Sequence, residues 1–428
     1  MSNQIGYRGR SLAFLQKNNL GVGDVVNVVT NSSYSGIVMP RYEYSDDEHI
    51  VLKLKSGYNI GLEIDKIKKI QVESSTSMKK ENTPQPQPNP KLPKLLLVST
   101  GGTIASKIDY RTGGVTPALT ATELYAAVPE LGKIANIDTE ILFSEYSENL
   151  LPEHWKKIAE KINSCVKSEY KGIIIAHGTD TMQYTAAALS FALVGIPIPI
   201  ALVGSQRSSD RPSSDAALNL ISAARFLLEC NTSGVYVVMH NSTSDDEVAC
   251  HWGTRVRKNH TSKRDAFKTV GGSPAFIVKN DNVEKNSQFN YVKKEYTPRI
   301  NFDTRVTLVK YYPGLNPKII DHIISSEYKA IIFEGTGLGH IGKIMYEYVN
   351  KARKKGLFMG MTSQCIDGMV SMTVYESGRD LLNLGIVPLS NMIPETALVK
   401  AMWALGNSKS VVEMEKLMKE NIALEFSD

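Results

Sequence analysis

Two stretches decide the fold: KLLLVSTGGTIAS at residues 94–106 and GIIIAHGTDTM at residues 172–182. In each, an apolar run, Leu95 to Val98 or Gly172 to Ala176, is followed closely by glycine and threonine residues. Short apolar runs bounded by turn residues are typical of buried parallel strands. Threonine hydroxyls therefore lie where strand gives way to loop, the edge at which open α/β sheets bind ligands.

The chain after residue 93 repeats this alternation of strand, loop and helix. Further apolar runs lie at 198–203, 235–239, 330–333 and 357–361, and helical patterns lie at 155–166, 215–228 and 342–354. The alternation predicts parallel sheets flanked by helices. We expect a large α/β domain with the active site at 94–290 and a smaller C-terminal α/β domain at 300–428, joined by a polar, irregular stretch around 280–299.

A proline-rich linker at 76–93 is predicted to separate this two-domain body from a small module at 1–75. The prolines alternate with polar residues from Thr83 to Pro90, which gives an extended, semi-rigid spacer. Short β-rich runs punctuated by turns, at 23–29, 34–39, 49–54 and 67–72, predict a small β-barrel-like domain. Basic and acidic side chains nearly balance in the module, which favours docking over phosphate binding.

Composition excludes several classes of protein. The 428 residues are 42% hydrophobic and 22% charged, which is ordinary soluble composition. The 49 basic and 44 acidic residues leave a net charge of +5, too balanced to indicate a nucleic-acid binder. No apolar run approaches the ~20 residues of a membrane helix, and the N-terminus lacks a secretory pattern, so we expect a cytoplasmic protein without a membrane contact. The scattered cysteines and histidines predict no disulfide and no metal.

The two threonine-bearing runs each have a structural and a catalytic interpretation. The run at 100–106 matches neither dinucleotide nor phosphate-loop glycine patterns, so it is either a plain turn or the site of a catalytic threonine. In the second run, Thr179 or Asp180 could cap the helix predicted at 181–193. The same pair could instead present a hydroxyl and a carboxylate to an amino acid's charged groups.

Lys258 gives weight to the catalytic interpretation. A lone lysine is usually a solvated surface charge. A buried lysine loses its proton more readily and can activate a hydroxyl, as in Ser-Lys variants of the catalytic triad.

These three motifs, in this order, resemble the type I/II L-asparaginase and glutaminase family. The likeness runs from Lys94 to the C-terminus and includes residues 204–215 and 378–382. It implies an asparaginase-like fold and an enzyme that uses threonines to hydrolyse a side-chain amide. By this resemblance the catalytic nucleophile is Thr103. A second catalytic group consists of Thr179, Asp180 and Lys258. The substrate-binding pair is Ser147 and Glu148.

The chain departs from the family pattern at two places. Tyr110 is the nearest candidate for the tyrosine of the family's catalytic loop, but the spacing is shorter here than in the secreted asparaginases. At Glu334 to His340 the chain reads EGTGLGH, where those enzymes have an asparagine that a neighbouring subunit supplies. The preference for glutamine or asparagine stays open.

An N-terminal β module joined by a spacer to an asparaginase-like body resembles the D-subunit family of the archaeal glutamyl-tRNA(Gln) amidotransferases. That resemblance implies a glutaminase that supplies ammonia to a partner E subunit, which uses ATP and Mg²⁺ to convert Glu-tRNA(Gln) to Gln-tRNA(Gln). It further implies no cofactor on this chain, tRNA(Gln) held mainly by the partner, and a homodimer core in an α2β2 complex. A freestanding cytoplasmic asparaginase and a noncatalytic scaffold are the alternatives, and the intact set of site residues disfavours the scaffold.

Overall fold

The structure is a computed structural model, and it describes residues 6–41, 46–54, 59–74, 89–101, 106–108, 115–117, 128–207, 214–286 and 293–427. The N-terminal module consists of helix α1 (Gly9–Lys17) and strands β1 (Val25–Val29), β2 (Ser33–Val38), β3 (His49–Leu54), β4 (Asn59–Glu63) and β5 (Lys69–Ser74). The strands form one antiparallel sheet in the order β4-β3-β2-β1-β5. The four predicted β runs are confirmed, whereas α1 and β4 were not predicted.

The large α/β domain is built on an eight-stranded sheet. Its strands are β6 (Lys94–Ser99), β9 (Asn136–Ile141), β10 (Ile173–Ala176), β11 (Pro199–Val203), β12 (Gly234–His240), β13 (Glu247–Trp252), β16 (Phe276–Lys279) and β17 (Asn282–Lys285). Strands β12-β11-β10-β6-β9 are parallel neighbours. The parallel sheet is as predicted, whereas β9 was not among the predicted strands. Beyond β12 the sheet continues with antiparallel strands β13, β16 and β17.

Helices cover both faces of the parallel strands because successive side chains of a strand point to opposite faces. Leu95 and Leu97 join the core beneath helix α4 (Ala216–Glu229). Leu96 and Val98 join the core beneath helices α2 (Pro152–Cys165) and α3 (Met182–Ala192). The fully apolar strands of the sequence are therefore buried on both sides, which is the condition that produces such runs.

Two small antiparallel pairs accompany the large sheet. The first consists of β7 (Ser106–Ile108) and β8 (Val115–Pro117), and the second of β14 (Val256–Lys258) and β15 (Phe267–Thr269). The second pair matters for the site because Lys258 is the last residue of β14.

The polar stretch around 280–299 differs in part from its prediction as an irregular connection. Asn280 and Asp281 have φ values of 46° and 69° and link β16 to β17 as a two-residue hairpin. Asn and Asp tolerate this left-handed conformation, which hairpin turns require. The start of the stretch therefore belongs to the large sheet.

The C-terminal domain is a four-stranded parallel sheet with helices. Its strands are β18 (Val306–Lys310), β19 (Ala330–Gly335), β20 (Phe358–Ser363) and β21 (Val387–Pro388), in that order across the sheet. Its helices are α5 (Lys318–Ser325), α6 (Tyr346–Lys354), α7 (Glu376–Asn383), α8 (Pro394–Gly406) and α9 (Val411–Lys419). Helix α8 packs on α3 of the large domain, where the rings of Trp403 and Phe191 stack at 5.8 Å.

A buried ion pair lies behind α8. Nζ of Lys400 is 2.5 Å from Oε1 of Glu425, and both side chains are fully buried. Lys400 also donates to the carbonyl oxygens of Met418 and Glu420, and Glu425 accepts from the backbone N–H groups of residues 422 and 423. These bonds satisfy both charges and fix the segment after α9 to the body of the domain.

Candidate active site

The two strands that lead into the sequence motifs end side by side at the carboxyl edge of the large sheet. Ser99 of β6 pairs with Ala176 of β10, so the two strands end at the same level. The N–H and Oγ1 of Thr100 both donate to the carbonyl oxygen of Ala176, at 3.0 and 2.9 Å. Thr100, the first residue after β6, is therefore fixed to the end of β10.

Thr179, Asp180 and Lys258 form a hydrogen-bonded cluster at this edge. Nζ of Lys258 donates to Oγ1 of Thr179 at 2.8 Å and to Oδ1 of Asp180 at 2.6 Å. The Lys258 side chain is only 9% exposed, whereas that of Asp180 is 67% exposed. The cluster thus joins a nearly buried amine and a hydroxyl to a carboxylate that substrate can reach.

Ser147 lies directly against the second motif. It begins a short 3-10 turn, Ser147–Asn149, and is buried, whereas Glu148 of the same turn is exposed. Oγ1 of Thr181 donates to the carbonyl oxygen of Ser147 at 2.7 Å. A Cβ atom on Gly178 would lie 2.8 Å from Cβ of Ser147, so only glycine allows this approach. Ser147 therefore borders the turn that carries Thr179 and Asp180, and Glu148 is its neighbour in the 3-10 turn.

Thr181, which makes no side-chain capping bond, is the N-cap of helix α3. The interpretation of Thr179 or Asp180 as the helix cap is therefore wrong. The Thr179 hydroxyl instead accepts a hydrogen bond from Lys258, which lies on β14 of the β14–β15 pair.

His177 is a structural residue of the motif. Its Nδ1 lies 2.6 Å from the carbonyl oxygen of Gly178, and its Nε2 lies 2.8 Å from Oγ1 of Thr185. A carbonyl only accepts, so Nδ1 carries the proton and Nε2 accepts from the threonine. Burial lowers the pKa of His177 to about 4, so the ring is neutral at pH 7. It holds the turn in place and is not a charged group of the site.

Gln183 was not predicted from the sequence, yet it contacts the predicted lysine. Its Oε1 accepts from the backbone N–H of Lys258 at 3.2 Å. The side chain belongs to the first turn of α3, immediately after the turn that carries Thr179 and Asp180. No motif spacing reveals this contact, because it depends on the packing of β14 against α3.

The loop after β11 closes another side of the cluster. A Cβ atom on Gly204 would lie 2.8 Å from Cγ2 of Thr179. The fully buried Asp215 accepts from the backbone N–H groups of Gln206 and Arg207, and Asn219 donates to the carbonyl oxygen of Gly204 at 3.0 Å. The start of α4 therefore fixes the loop against Thr179.

The structure brings together five of the predicted site residues: Ser147, Glu148, Thr179, Asp180 and Lys258. Thr103 and Tyr110 lie outside the described residues, so their roles stay predictions. Glu334 lies at the carboxyl end of β19 and pairs with Lys310 at 2.8 Å.

The described ranges of the chain lack a metal-binding group and a membrane-spanning helix. Within them, no three His, Cys, Asp or Glu side chains are grouped so that they could hold a metal ion. No helix among the residues that the structure describes is long and apolar enough to cross a membrane. The four cysteines are free thiols.

Comparison with known families accounts for most of the chain. Residues 94–291 match the N-terminal asparaginase family, residues 305–418 the glutaminase/asparaginase C-terminal domain, and residues 20–72 the GatD N-terminal domain. The glutamyl-tRNA(Gln) amidotransferase D subunit of Metallosphaera sedula is 46% identical over 99% of this chain and 96% of its own length. The chain belongs to this D-subunit family. The Pyrococcus abyssi member is 44% identical over 97% of each chain.

Solved structures show the same α/β body. The thermostable L-asparaginase from Thermococcus kodakarensis superposes with a TM-score of 0.72 at 32% identity, covering 78% of this chain and 99% of that one. L-asparaginase I from Vibrio cholerae has a TM-score of 0.68 at 24% identity, covering 79% of this chain and all of that one, which supports the fold alone. The body of this D-subunit family member is therefore an asparaginase fold.

Proposed function

We propose that this chain is the glutaminase subunit of a tRNA-dependent amidotransferase. It hydrolyses glutamine to glutamate and ammonia, and a partner subunit uses the ammonia with ATP to convert Glu-tRNA(Gln) to Gln-tRNA(Gln). One observation carries the chemistry: the nearly buried Lys258 amine lies between the Thr179 hydroxyl and the Asp180 carboxylate. The chain is 44–46% identical to D subunits over nearly its full length, which supports the assignment of this chemistry to an amidotransferase.

The first step is attack on the amide by a threonine hydroxyl, for which Thr103 is the proposed nucleophile. Its oxygen bonds to the carbonyl carbon, the carbon–nitrogen bond breaks, and the departing nitrogen takes up the proton that the hydroxyl gives away and leaves as ammonia. A threonyl ester of glutamate remains.

The second step is hydrolysis of that ester, for which Thr179, Lys258 and Asp180 form the second catalytic group. When the Lys258 amine is neutral, it can take the proton of the Thr179 hydroxyl at 2.8 Å, and that oxygen can in turn take a proton from water. The hydroxide adds to the ester carbon and the bond to Thr103 breaks. The Thr103 oxygen takes back the proton that Lys258 holds, so that the amine is neutral again. Asp180 stabilises the ammonium that forms on Lys258.

The same edge offers groups that would hold the amino-acid end of glutamine. Asp180 and Glu148 present exposed carboxylates suited to an α-ammonium group, and Ser147 lies against the turn at Gly178. This arrangement fixes the substrate by its charged end and leaves the amide to the threonines.

Membership of the D-subunit family supports a proposal for the wider assembly. The proposed partner is the E subunit, which binds ATP and Mg²⁺ and holds most of the tRNA(Gln), while this chain binds no cofactor. A homodimer of this chain forms the core of an α2β2 complex in the cytoplasm. The near-neutral charge of the N-terminal module supports a docking role there.

A freestanding L-asparaginase is the second candidate function. The likeness to the Thermococcus kodakarensis enzyme over 99% of that chain favours it. That likeness leaves part of this chain unmatched, whereas the D subunits match 97–99% of it. The N-terminal module therefore favours the amidotransferase.

The deciding experiment measures ammonia release from glutamine and from asparagine, by this chain alone and with an E subunit and charged tRNA. We expect glutamine hydrolysis that increases in the complete system. Asparagine turnover that exceeds glutamine turnover and ignores the partner would establish the asparaginase instead.

Two substitutions test the residue roles in the same assay. Thr103→Ala should abolish glutamine-dependent transamidation while free ammonium still supports it, because only the release of ammonia needs the hydroxyl. Lys258→Met should lower glutamine hydrolysis by about 10²–10⁴-fold, the usual contribution of a positioned proton-transfer group. Lys268→Met is the matched control, since Lys268 lies on the adjacent β15 and pairs with Asp265 instead.

A further inference from the structure

The residues just before Lys258 are bound to the C-terminal domain. The carbonyl oxygen of Thr254 accepts from Oγ1 of Thr396 at 2.8 Å, and Oγ1 of Thr254 donates to the carbonyl oxygen of Ala423 at 2.7 Å. Nε of the buried Arg255 donates to the carbonyl oxygen of Leu424 at 2.6 Å. Three bonds across the domain boundary thus hold the chain as it enters β14.

A fourth contact lies within β14 itself. Nε of Arg257 is 3.0 Å from Oε1 of Glu395, whose side chain is 10% exposed. Adjacent residues of a strand point to opposite faces, so Arg257 faces the C-terminal domain while Val256 and Lys258 face the large domain. The strand that presents Lys258 to the site is therefore held from its other side.

Glu395 is well placed for this role. It lies in the first turn of α8, where the helix dipole stabilises a negative charge. Its neighbour Thr396 is buried and makes the bond to Thr254 described above. One helix start thereby supplies a charge to Arg257 and a hydroxyl to Thr254.

We propose that Glu395 is a positioning residue for amide hydrolysis, acting through Arg257 and β14 to set the place of the Lys258 amine. The inference rests on the proposed function, because it assumes that Lys258 takes part in hydrolysis. Lys258 must meet two small acceptors at 2.6–2.8 Å, and β14 is a three-residue strand that cannot fix this geometry alone. A displacement of about 1 Å at such a group costs roughly 10²-fold in rate.

The test compares kcat and KM for glutamine in the full chain with its partner. Glu395→Gln keeps the shape of the side chain and removes its charge; we expect kcat to fall about 10- to 100-fold, with KM within about threefold of the wild-type value. Glu395→Asp, which restores the carboxylate, should recover most of the lost kcat. Asp303→Asn is the matched control, since it neutralises the carboxylate of the Asp303–Arg305 pair, whose partner lies outside β14.

The outcomes separate the inference from the function on which it rests. Wild-type protein without glutaminase activity overturns the proposed function. If the wild type is active, two results overturn the positioning role alone. One is a kcat for Glu395→Gln no lower than that for Asp303→Asn. The other is a kcat for Glu395→Asp as low as that for Glu395→Gln. If Glu395→Gln does not fold, Arg257→Gln decides, because it removes the cation that pairs with Glu395; unchanged kcat in that variant would also overturn the proposal.

Discussion

The backbone N–H of Lys258 and the side-chain oxygen of Gln183 are 3.2 Å apart and hydrogen-bonded. Lys258 is thereby fixed to one unit of structure at both of its ends, since its ammonium binds the turn that leads into α3 and its main chain binds the first turn of α3. The strand and the helix start therefore move together.

Gln183→Leu should lower kcat for glutamine about tenfold, because the main chain of Lys258 loses its acceptor and the amine is held less firmly. Gln183→Glu keeps an acceptor oxygen and should retain most of the activity. Steady-state kinetics of both variants check this, and equal losses in the two would mean that the hydrogen bond is unimportant.

Gly178→Ala should raise KM for glutamine and destabilise the protein by about 1–3 kcal/mol, since its Cβ would lie 2.8 Å from that of Ser147. Gly61→Ala is the control, because a Cβ there meets nothing closer than 3.9 Å. Kinetics and urea unfolding of the two variants are compared; if their KM values match, Ser147 does not contribute to binding.

Stability should decline as pH falls from about 6.5 toward 4, because burial lowers the pKa of His177 to about 4 and that of His251 to about 3. Both pKa values lie below the ordinary value, so the unfolded chain takes up these protons first and is favoured by acid. His177 alone contributes on the order of 3 kcal/mol across this window.

Urea unfolding at a series of pH values tests this. His177→Gln should flatten the slope of stability against pH. A slope that His177→Gln does not alter would contradict the assignment.

Lys400→Met should cost about 3–5 kcal/mol of unfolding free energy, because it leaves the fully buried Glu425 carboxylate without its partner. Adding Glu425→Gln should recover part of the loss. Lys279→Met removes a cation from a surface pair with Glu247 and should cost less than about 1 kcal/mol. Denaturant midpoints of these variants give the loss of unfolding free energy. Similar losses for Lys400→Met and Lys279→Met would refute the special cost of breaking the buried pair.

Much of this fold was predictable because its parallel strands are buried on both faces. The runs at Leu95 and Ile173 could only be such strands, and the motifs after them had to meet at one edge. The strand β17 was missed because its sequence is polar and its hairpin depends on two residues at positive φ. Polar edge strands carry little periodic signal.

The residues of the site likewise fall into those that the sequence revealed and those that it did not. Thr179, Asp180 and Lys258 were found from motifs that bear chemical groups, and the structure brings them into contact. Gln183, Arg257 and Glu395 were not found, because each acts through a contact between distant segments that no local spacing records. The contact of Gln183 depends on packing within the large domain, and that of Arg257 with Glu395 on the packing of the two domains together.

The bonds of Thr254 and Arg255 also have a consequence for how the protein is made. Their partners, Thr396 and Leu424, lie 142 and 169 residues further along the chain. During synthesis the large sheet can form before either partner has left the ribosome, since domains fold largely in order of their emergence. We therefore expect amide hydrolysis to begin only once translation has passed both residues, so that a nascent or truncated chain releases little ammonia.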